Sequence, residues 1–471
     1  MFSAVPIISY RDHLIKDRKE LYRLLQDCQS LRKENGESPI ISFCEKISPV
    51  DLLDIFERIK SEYPIHFYWE NIQEEEGMLG YGVTSSGDFS GQQRFERSQT
   101  FIQSCQRRII KLDRFTGVTP FLFCSFSFFD TPGHGTQPFS AGRIILPRFA
   151  AIKKGNDYFF QTNLIVNSGD NLEVISEEVY KNYRLIQYSK NNLVYLPKPA
   201  TSNYHVYPSY NFQSAVTSAL TSIAAGRFSK IVLAHALDVV SPAVFQVGDC
   251  LRNLRGRYPD CYTFSISNDK GQHFIGASPE RLLSIENQQL ITDALAGSAP
   301  RGKTPGEDEL LAAKLLNNEK ERREHQAVSD FITQRLYELG LTPQCSPLKL
   351  LKLSNIQHLW TPIYASLKTP LHSLEIVNKL HPTPAVAGVP TEAACEQIRR
   401  YESFDRSLYA APLGWVDCDG NSKFIVGIRS ALIYDNQARL YAGAGIVKGS
   451  DPVKELGEIQ LKFQALFKAL V

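Results

Sequence analysis

Residues 261–298 read CYTFSISNDKGQHFIGASPERLLSIENQQLITDALAGS. Four apolar runs stand in this stretch: CYTFSIS, HFIGAS, RLLSIEN and QLITDALAGS. Short runs rich in β-branched and aromatic residues, set between turn residues, read as strands. Joints this short return a chain antiparallel to itself, because a parallel return needs a crossover of a dozen residues or more. The pattern repeats on both sides. SKIVLAHALDV precedes it, and APLGWVDCDG, KFIVGIRSALIYD and ARLYAGAGIV follow. Nearer the N-terminus come IHFYWE, GMLGYGVT and TPFLFCSFSFF, then LPRFAAIKKGNDYFFQTNLIV, a hairpin bending at Lys-Lys-Gly-Asn-Asp. Helical spacing appears over residues 11–33, in SPVDLLDIFERIK with a serine cap ahead of its proline, over 211–226, over 306–339 with a break, over 391–402 and from 452 to 470. The reading is an α+β protein of largely antiparallel sheets with helices packed outside. The proline-rich YLPKPATSNYHVYPS (195–209) reads as a linker. It divides an N-terminal half, 1–200, from a second region, 201–471.

The totals set outer limits. The chain has 471 residues, 43% hydrophobic and 22% charged, enough for one large core. A net charge of +2 gives no reason to expect a nucleic acid partner. Nine scattered cysteines without a C-x-x-C pair read as free thiols in a reducing compartment. The first residues, MFSAVPIISYRDHLIK, meet charge too early for a signal peptide, and PFLFCSFSFF is about half a membrane span. A cytoplasmic protein with no membrane segment is expected.

A few charges stand where apolar residues belong. In FSKIVLAH both strand faces are apolar, which puts Lys230 in a core strand. The ordinary reading is an ion pair at a strand end; the functional one is a desolvated lysine usable as a base. In NNEKERREHQAVSD (317–330), Glu324 heads a stripe with Ala327, Val328 and Phe331, while Arg322, Arg323 and Gln326 point elsewhere. Asn317 falls two turns earlier on that face. Glu324 is either a rim residue or a buried carboxylate that needs a cation. In the last helix Leu456, Ile459, Phe463, Leu466 and Leu470 form the core stripe, and Glu458 and Lys462 make an ordinary i, i+4 pair beside it. Glu280 leaves the Ser-Pro-Glu turn between two strands, a place for an acid of raised pKa. Arg429, read as a strand residue, could fork a carboxylate. LAGSAPRG and YAGAGIV let a ligand approach the backbone, though neither is a Walker loop.

In this order the segments resemble the chorismate-utilising enzymes and, among them, the isochorismate synthases. The residues that carry the resemblance are SKIVLAH (229–235), FIGASPERLL (274–283), LAGSAPRG (295–302), EKERREH (319–325), QHLWTP (357–362), LHPTPAVAG (380–388), ESFDRSLYAAPLGW (402–415), GIRSA (427–431), YAGAGIV (441–447) and DPVKELGEIQLK (451–462). It spans about 205–465; residues 1–200 resemble the family's variable N-terminal half only loosely. The resemblance implies large sheets packed face to face in one intertwined unit. It implies an isomerase, a hydroxymutase that moves the hydroxyl of chorismate from C4 to C2. Lys230 would be the base and Glu280 the acid. Glu324 and Glu458 would hold Mg²⁺, supported by Glu321 and Glu455. Arg429, Lys462 and the backbone near Gly297, Ser298 and Gly443 would grip carboxylates, with His358 beside the ring.

Departures from related patterns narrow the choice. Anthranilate synthases carry Gln in place of Lys230, and their Leu-Leu-Glu-Ser segment is absent here. Aminodeoxychorismate synthases carry a lysine where this chain has Ala296. No glutamine amidotransferase subunit is therefore expected, and a monomer is. Salicylate synthases, which go on to eliminate pyruvate, typically read Ala-Gly-Thr-Arg where this chain has Ala296-Gly297-Ser298-Ala299. The menaquinone or phylloquinone branch is the closer resemblance; salicylate and siderophore synthesis are the alternatives.

Overall fold

A computed structural model describes residues 15, 18–29, 37–112, 118–131, 137–187, 203–354, 356–368 and 371–470. These hold 21 strands and 11 helices. The strands form two arms that part at the long strand Gly142–Lys154. One face of that strand's hydrogen bonding goes to Glu76–Phe89 along nearly its whole length. On the other side its later half pairs with Asp157–Ile165 and its first residues pair with Phe121–Phe126.

The first arm runs from Glu76–Phe89 through His66–Asn71, Tyr262–Ser267, Gln272–Ser278, Ser430–Tyr434 and Gln437–Val447 to Lys230–Val240. The second runs from Phe121–Phe126 through Pro412–Asp417, Ser422–Val426, Arg281–Glu286 and Gln289–Pro300 to Ile356–Ser366. Every pairing in both arms is antiparallel. The parallel pair among the described residues is Ile40–Ile47 with Ile109–Lys111. The arms pack face to face: the ring of Phe67 in the first stacks on Phe123 in the second and meets Phe121 edge-on. One continuous cluster of buried apolar side chains fills the space between arms and helices.

The chain crosses from arm to arm twice at one place. Ser278–Glu280 carries it from Gln272–Ser278 to Arg281–Glu286, and Gly427–Arg429 carries it back from Ser422–Val426 to Ser430–Tyr434. The crossings are tied together. Ser278 Oγ donates to the Val426 carbonyl at 2.6 Å, Val426 N–H to the Glu280 carbonyl at 3.0 Å, and Ala277 N–H to the Arg429 carbonyl at 3.2 Å. Arg429 is therefore a crossing residue with φ +49, not a strand residue as its apolar neighbours suggested.

Three other local readings change. Asp51, not Ser48, caps Leu52–Ile59, accepting from Leu53 N–H. The helix over 306–339 breaks into Pro305–Asn317 and Glu319–Glu338 because Asn318 takes extended backbone and caps the second piece, accepting from Lys320 and Glu321 N–H. Asn317 thus lies across a break from Glu324 and shares no face with it. Of the linker, His205–Pro208 is a strand on Lys230–Val240, while 195–202, like 11–14 and 30–33 of the first helix, lies outside the described residues. None of the nine cysteines is in a disulfide. Among the described residues no helix is long and apolar enough to cross a membrane.

Candidate active site

The site forms between two helices and two neighbouring strands. Gln437–Val447 pairs with Lys230–Val240 so that Val447 lies opposite Lys230, Gly445 opposite Val232 and Gly443 opposite Ala234. Opposed residues of an antiparallel pair share a face, so both glycines floor the face that carries Lys230. A Cβ on Gly445 would come within 3.3 Å of Lys230 Cε, and one on Gly443 within 2.8 Å of the Tyr409 hydroxyl. Here glycine clears space rather than relaxing the backbone.

Lys230 is 8% exposed. Its Nζ lies 3.1 Å from Glu324 Oε2. That pair links the first arm to the helix Glu319–Glu338, which packs on the second. Glu321, one turn earlier, takes the backbone N–H of Ser298. This approach depends on Gly297: the strand bulges between Ala296 and Ser298, Gly297 has φ +75, and its absent Cβ would meet Glu321 Oε2 at 3.0 Å. Beyond the bulge, Ser298 lies opposite His358. Burial holds His358 down to about 3, with Arg429 nearby adding to the effect, so the ring is neutral. Its Nε2 is buried without a partner.

The C-terminal helix Pro452–Leu470 closes the other side. Lys462 Nζ donates to the Gly443 carbonyl at 2.8 Å and sits 2.7 Å from Glu458 Oε1. The helix Glu319–Glu338 comes close enough there for the charge of Lys320 to be felt. Glu455 is raised by burial and by the like charge of Glu458, with Lys320 of the facing helix and Lys462 opposing. Glu321 is raised by burial and by Glu324. Each helix thus carries an i, i+3 carboxylate pair, Glu321 with Glu324 and Glu455 with Glu458.

Glu280 occupies the first crossing. Burial pushes its carboxyl up to about 7, Asp293 pushes the same way, and Lys230 and Arg429 pull it back. The charges of Lys230 and Arg429 are thus both felt at Glu280. Asp293 is held by Arg281 at 3.0 Å and by the Trp360 indole N–H at 2.8 Å. Arg429 donates to Cys261 Sγ at 3.6 Å and lies over the Tyr258 ring, and among the described residues no carboxylate pairs with it.

Contacts link Lys230 to Glu324, Glu321 to Ser298 beside Gly297, Ser298 across the strands to His358, and Lys462 to Gly443 and Glu458, while Glu280 feels the charges of Lys230 and Arg429 and Glu455 that of Glu458. Sequence reasoning missed Asp293, Gly445 and Tyr409. Asp293 was visible as the charge inside QLITDALAGS; for Tyr409 nothing marked its hydroxyl as aimed at Gly443.

The residues fit a small hard cation. The donors are carboxylate oxygens, Glu321 and Glu455 being raised by burial and by their neighbours Glu324 and Glu458, and Mg²⁺ needs only one or two protein carboxylates beside its waters. As they stand, Glu324 is paired with Lys230 and Glu458 with Lys462, and no three His, Cys, Asp or Glu among the described residues form a cage.

Comparison with known proteins follows the same line. The model of a family described as chorismate binding enzyme matches residues 23–471. The chain is 30% identical to isochorismate synthase MenF of Bacillus subtilis (strain 168), over 96% of this chain and 97% of that protein. It is 32% identical to the salicylate biosynthesis isochorismate synthase of Pseudomonas aeruginosa, over 90% and 89%. Among solved structures, the menaquinone-specific isochorismate synthase MenF of Escherichia coli superposes with a TM-score of 0.78 at 26% identity, covering 97% of this chain and all of that one.

Proposed function

The chain belongs to the chorismate-binding enzyme family, and we propose that it is an isochorismate synthase, an isomerase that converts chorismate to isochorismate. One observation carries the reading: Lys230 is a buried amine whose charge is felt at Glu280, a buried carboxyl pushed up to about 7. The reaction needs that pair. Water bonds to ring C2 and gives a proton to the neutral amine of Lys230. The two ring double bonds shift, the C4–O bond breaks, and the leaving hydroxyl takes the Glu280 proton and departs as water. One proton then returns from Lys230 to Glu280. A carboxyl at about 7 is half protonated near neutral pH, where an ordinary glutamate would already be ionised.

The other residues bind and orient. Arg429, with no carboxylate of its own, and Lys462 suit the substrate's carboxylates. Neutral His358 offers an unpartnered Nε2 beside the ring. Glu324 and Glu458 would hold Mg²⁺, with Glu321 and Glu455 behind them; when bound, that ion supplies positive charge for the ring carboxylate. The contact between Lys230 and Glu324 must open before Lys230 can act as a base, so the pair describes the resting arrangement. Water is the nucleophile, so no ammonia-delivering partner enters.

Likeness to menaquinone-type synthases over nearly the whole chain favours the quinone branch. The comparable likeness to a salicylate-pathway synthase supports a second reading, isochorismate made for salicylate. Purified protein given chorismate and Mg²⁺ should yield isochorismate without pyruvate. Salicylate with pyruvate would instead identify a salicylate synthase, and absence of turnover would refute the assignment.

A further inference from the structure

The strand Lys230–Val240 and the C-terminal helix each have a second side. Side chains alternate along a strand, so His235 and Leu237 point away from the face of Lys230. On the helix, Leu456, Gln460 and Phe463 lie on the side turned away from Glu458 and Lys462. Between these far sides, the strand His205–Pro208 and the start of the helix Phe212–Ala224 lies a cavity of about 720 Å³. That volume is typical of small-molecule sites. Leu456, read from spacing as core, lines this cavity instead.

Its walls specify an occupant. The His235 ring meets Tyr210 at 5.2 Å, Phe212 at 5.5 Å and Phe463 at 5.8 Å. Phe467 adds a further ring. No Asp, Glu, Lys or Arg among the described residues lines the space. His235 itself is 4% exposed and is held down to about 4 by burial, so it is neutral. Its Nδ1 has no hydrogen-bond partner. A buried orphan nitrogen is costly, and a cavity of rings around it suits a ligand that satisfies it.

We propose that this cavity binds a flat, uncharged aromatic molecule carrying one hydrogen-bonding group, and that the C-terminal helix transmits its occupancy to the active site. The binding stands on the cavity alone; the transmission rests on the isochorismate synthase reading. A ligand that presses on Leu456 and Phe463 displaces the helix whose other side places Glu458 and holds Lys462 on the Gly443 carbonyl. Binding at one site then changes affinity at the other, and couplings of this kind are commonly about fivefold or more.

The test uses 1-naphthol as probe on the full-length protein, by calorimetry and by the chorismate assay. Saturable binding of one molecule per chain is expected. His235→Phe keeps the ring and removes the nitrogen, and should weaken binding about fivefold. Gln460→Trp fills the cavity and should abolish binding. Both variants should keep basal turnover. In the unaltered protein 1-naphthol should shift KM or kcat, and in Gln460→Trp it should not. Unsaturable binding, or binding indifferent to both substitutions, would overturn the site. Variant-sensitive binding with unchanged kinetics would overturn the transmission. If chorismate is not isomerised at all, the functional reading fails, while calorimetry still decides the cavity.

Discussion

On the proposed reading Lys230 and Glu280 are the two residues on which the chemistry turns, and each can be tested apart from the other. Lys230→Ala removes the base but not the residues assigned to carboxylate binding. Turnover should vanish while chorismate binding stays measurable by calorimetry; retained activity would remove Lys230 from its role. Glu280→Gln should lower kcat by about 10² or more, the usual contribution of a positioned acid. It should also alter stability in a pH-dependent way. A carboxyl raised from 4.5 to about 7 binds its proton more tightly in the folded state. Its burial is therefore harmless below pH 4.5, costs more as pH rises toward 7, and keeps that full cost above. The glutamine variant should be more stable than the parent at pH 8, by at most about 3 kcal/mol, and no more stable at pH 4. Denaturant melts at both pH values decide it. The sequence marks each as a candidate for its own reason: Glu280 leaves a turn between two apolar strands, and Lys230 is a charge inside an apolar run. Asp293, which helps hold the Glu280 proton, was equally such a charge, but its partners Arg281 and Trp360 come from other strands and only the fold brings them to it.

At the scale of elements the site depends on what strands leave out and what helices bring in. Gly445 leaves room for Lys230. Gly445→Ala should push the amine aside and lower kcat by about tenfold or more with the melting temperature nearly unchanged; an unaffected kcat would mean the lysine tolerates displacement. The C-terminal helix brings Glu458. Glu458→Gln should raise the Mg²⁺ concentration needed for half-maximal rate, and an unchanged metal dependence would return Glu458 to a solvent-exposed role. Helix existence and the Lys462 pairing were readable from spacing. A metal-holding role for Glu458 was not, because its exposed i, i+4 pair with Lys462 looks the same on a wet face as at the mouth of a site. Nor was the break at Asn318 readable to the residue: it needs the capping bonds to Lys320 and Glu321, which set where Glu324 falls.

Across the whole molecule, a break near residue 200 reads plausibly as a boundary, yet hydrogen bonding ignores it. His66–Asn71 pairs with Tyr262–Ser267, and Phe121–Phe126 with Pro412–Asp417. We expect residues 1–200 and 201–471, made separately, to stay unfolded by circular dichroism and to recover activity only when refolded together; an independently folded half would refute this. Antiparallel strands and outer helices could be predicted from local runs. Which strands neighbour each other could not, since that follows from contacts between distant parts of the chain. The pairing of Phe121 with Asp417 has a further consequence, in the cell rather than in the site. While the ribosome is still at work, the apolar edge of Phe121–Phe126 waits for a partner made much later along the chain, and the nascent protein must be shielded over that interval.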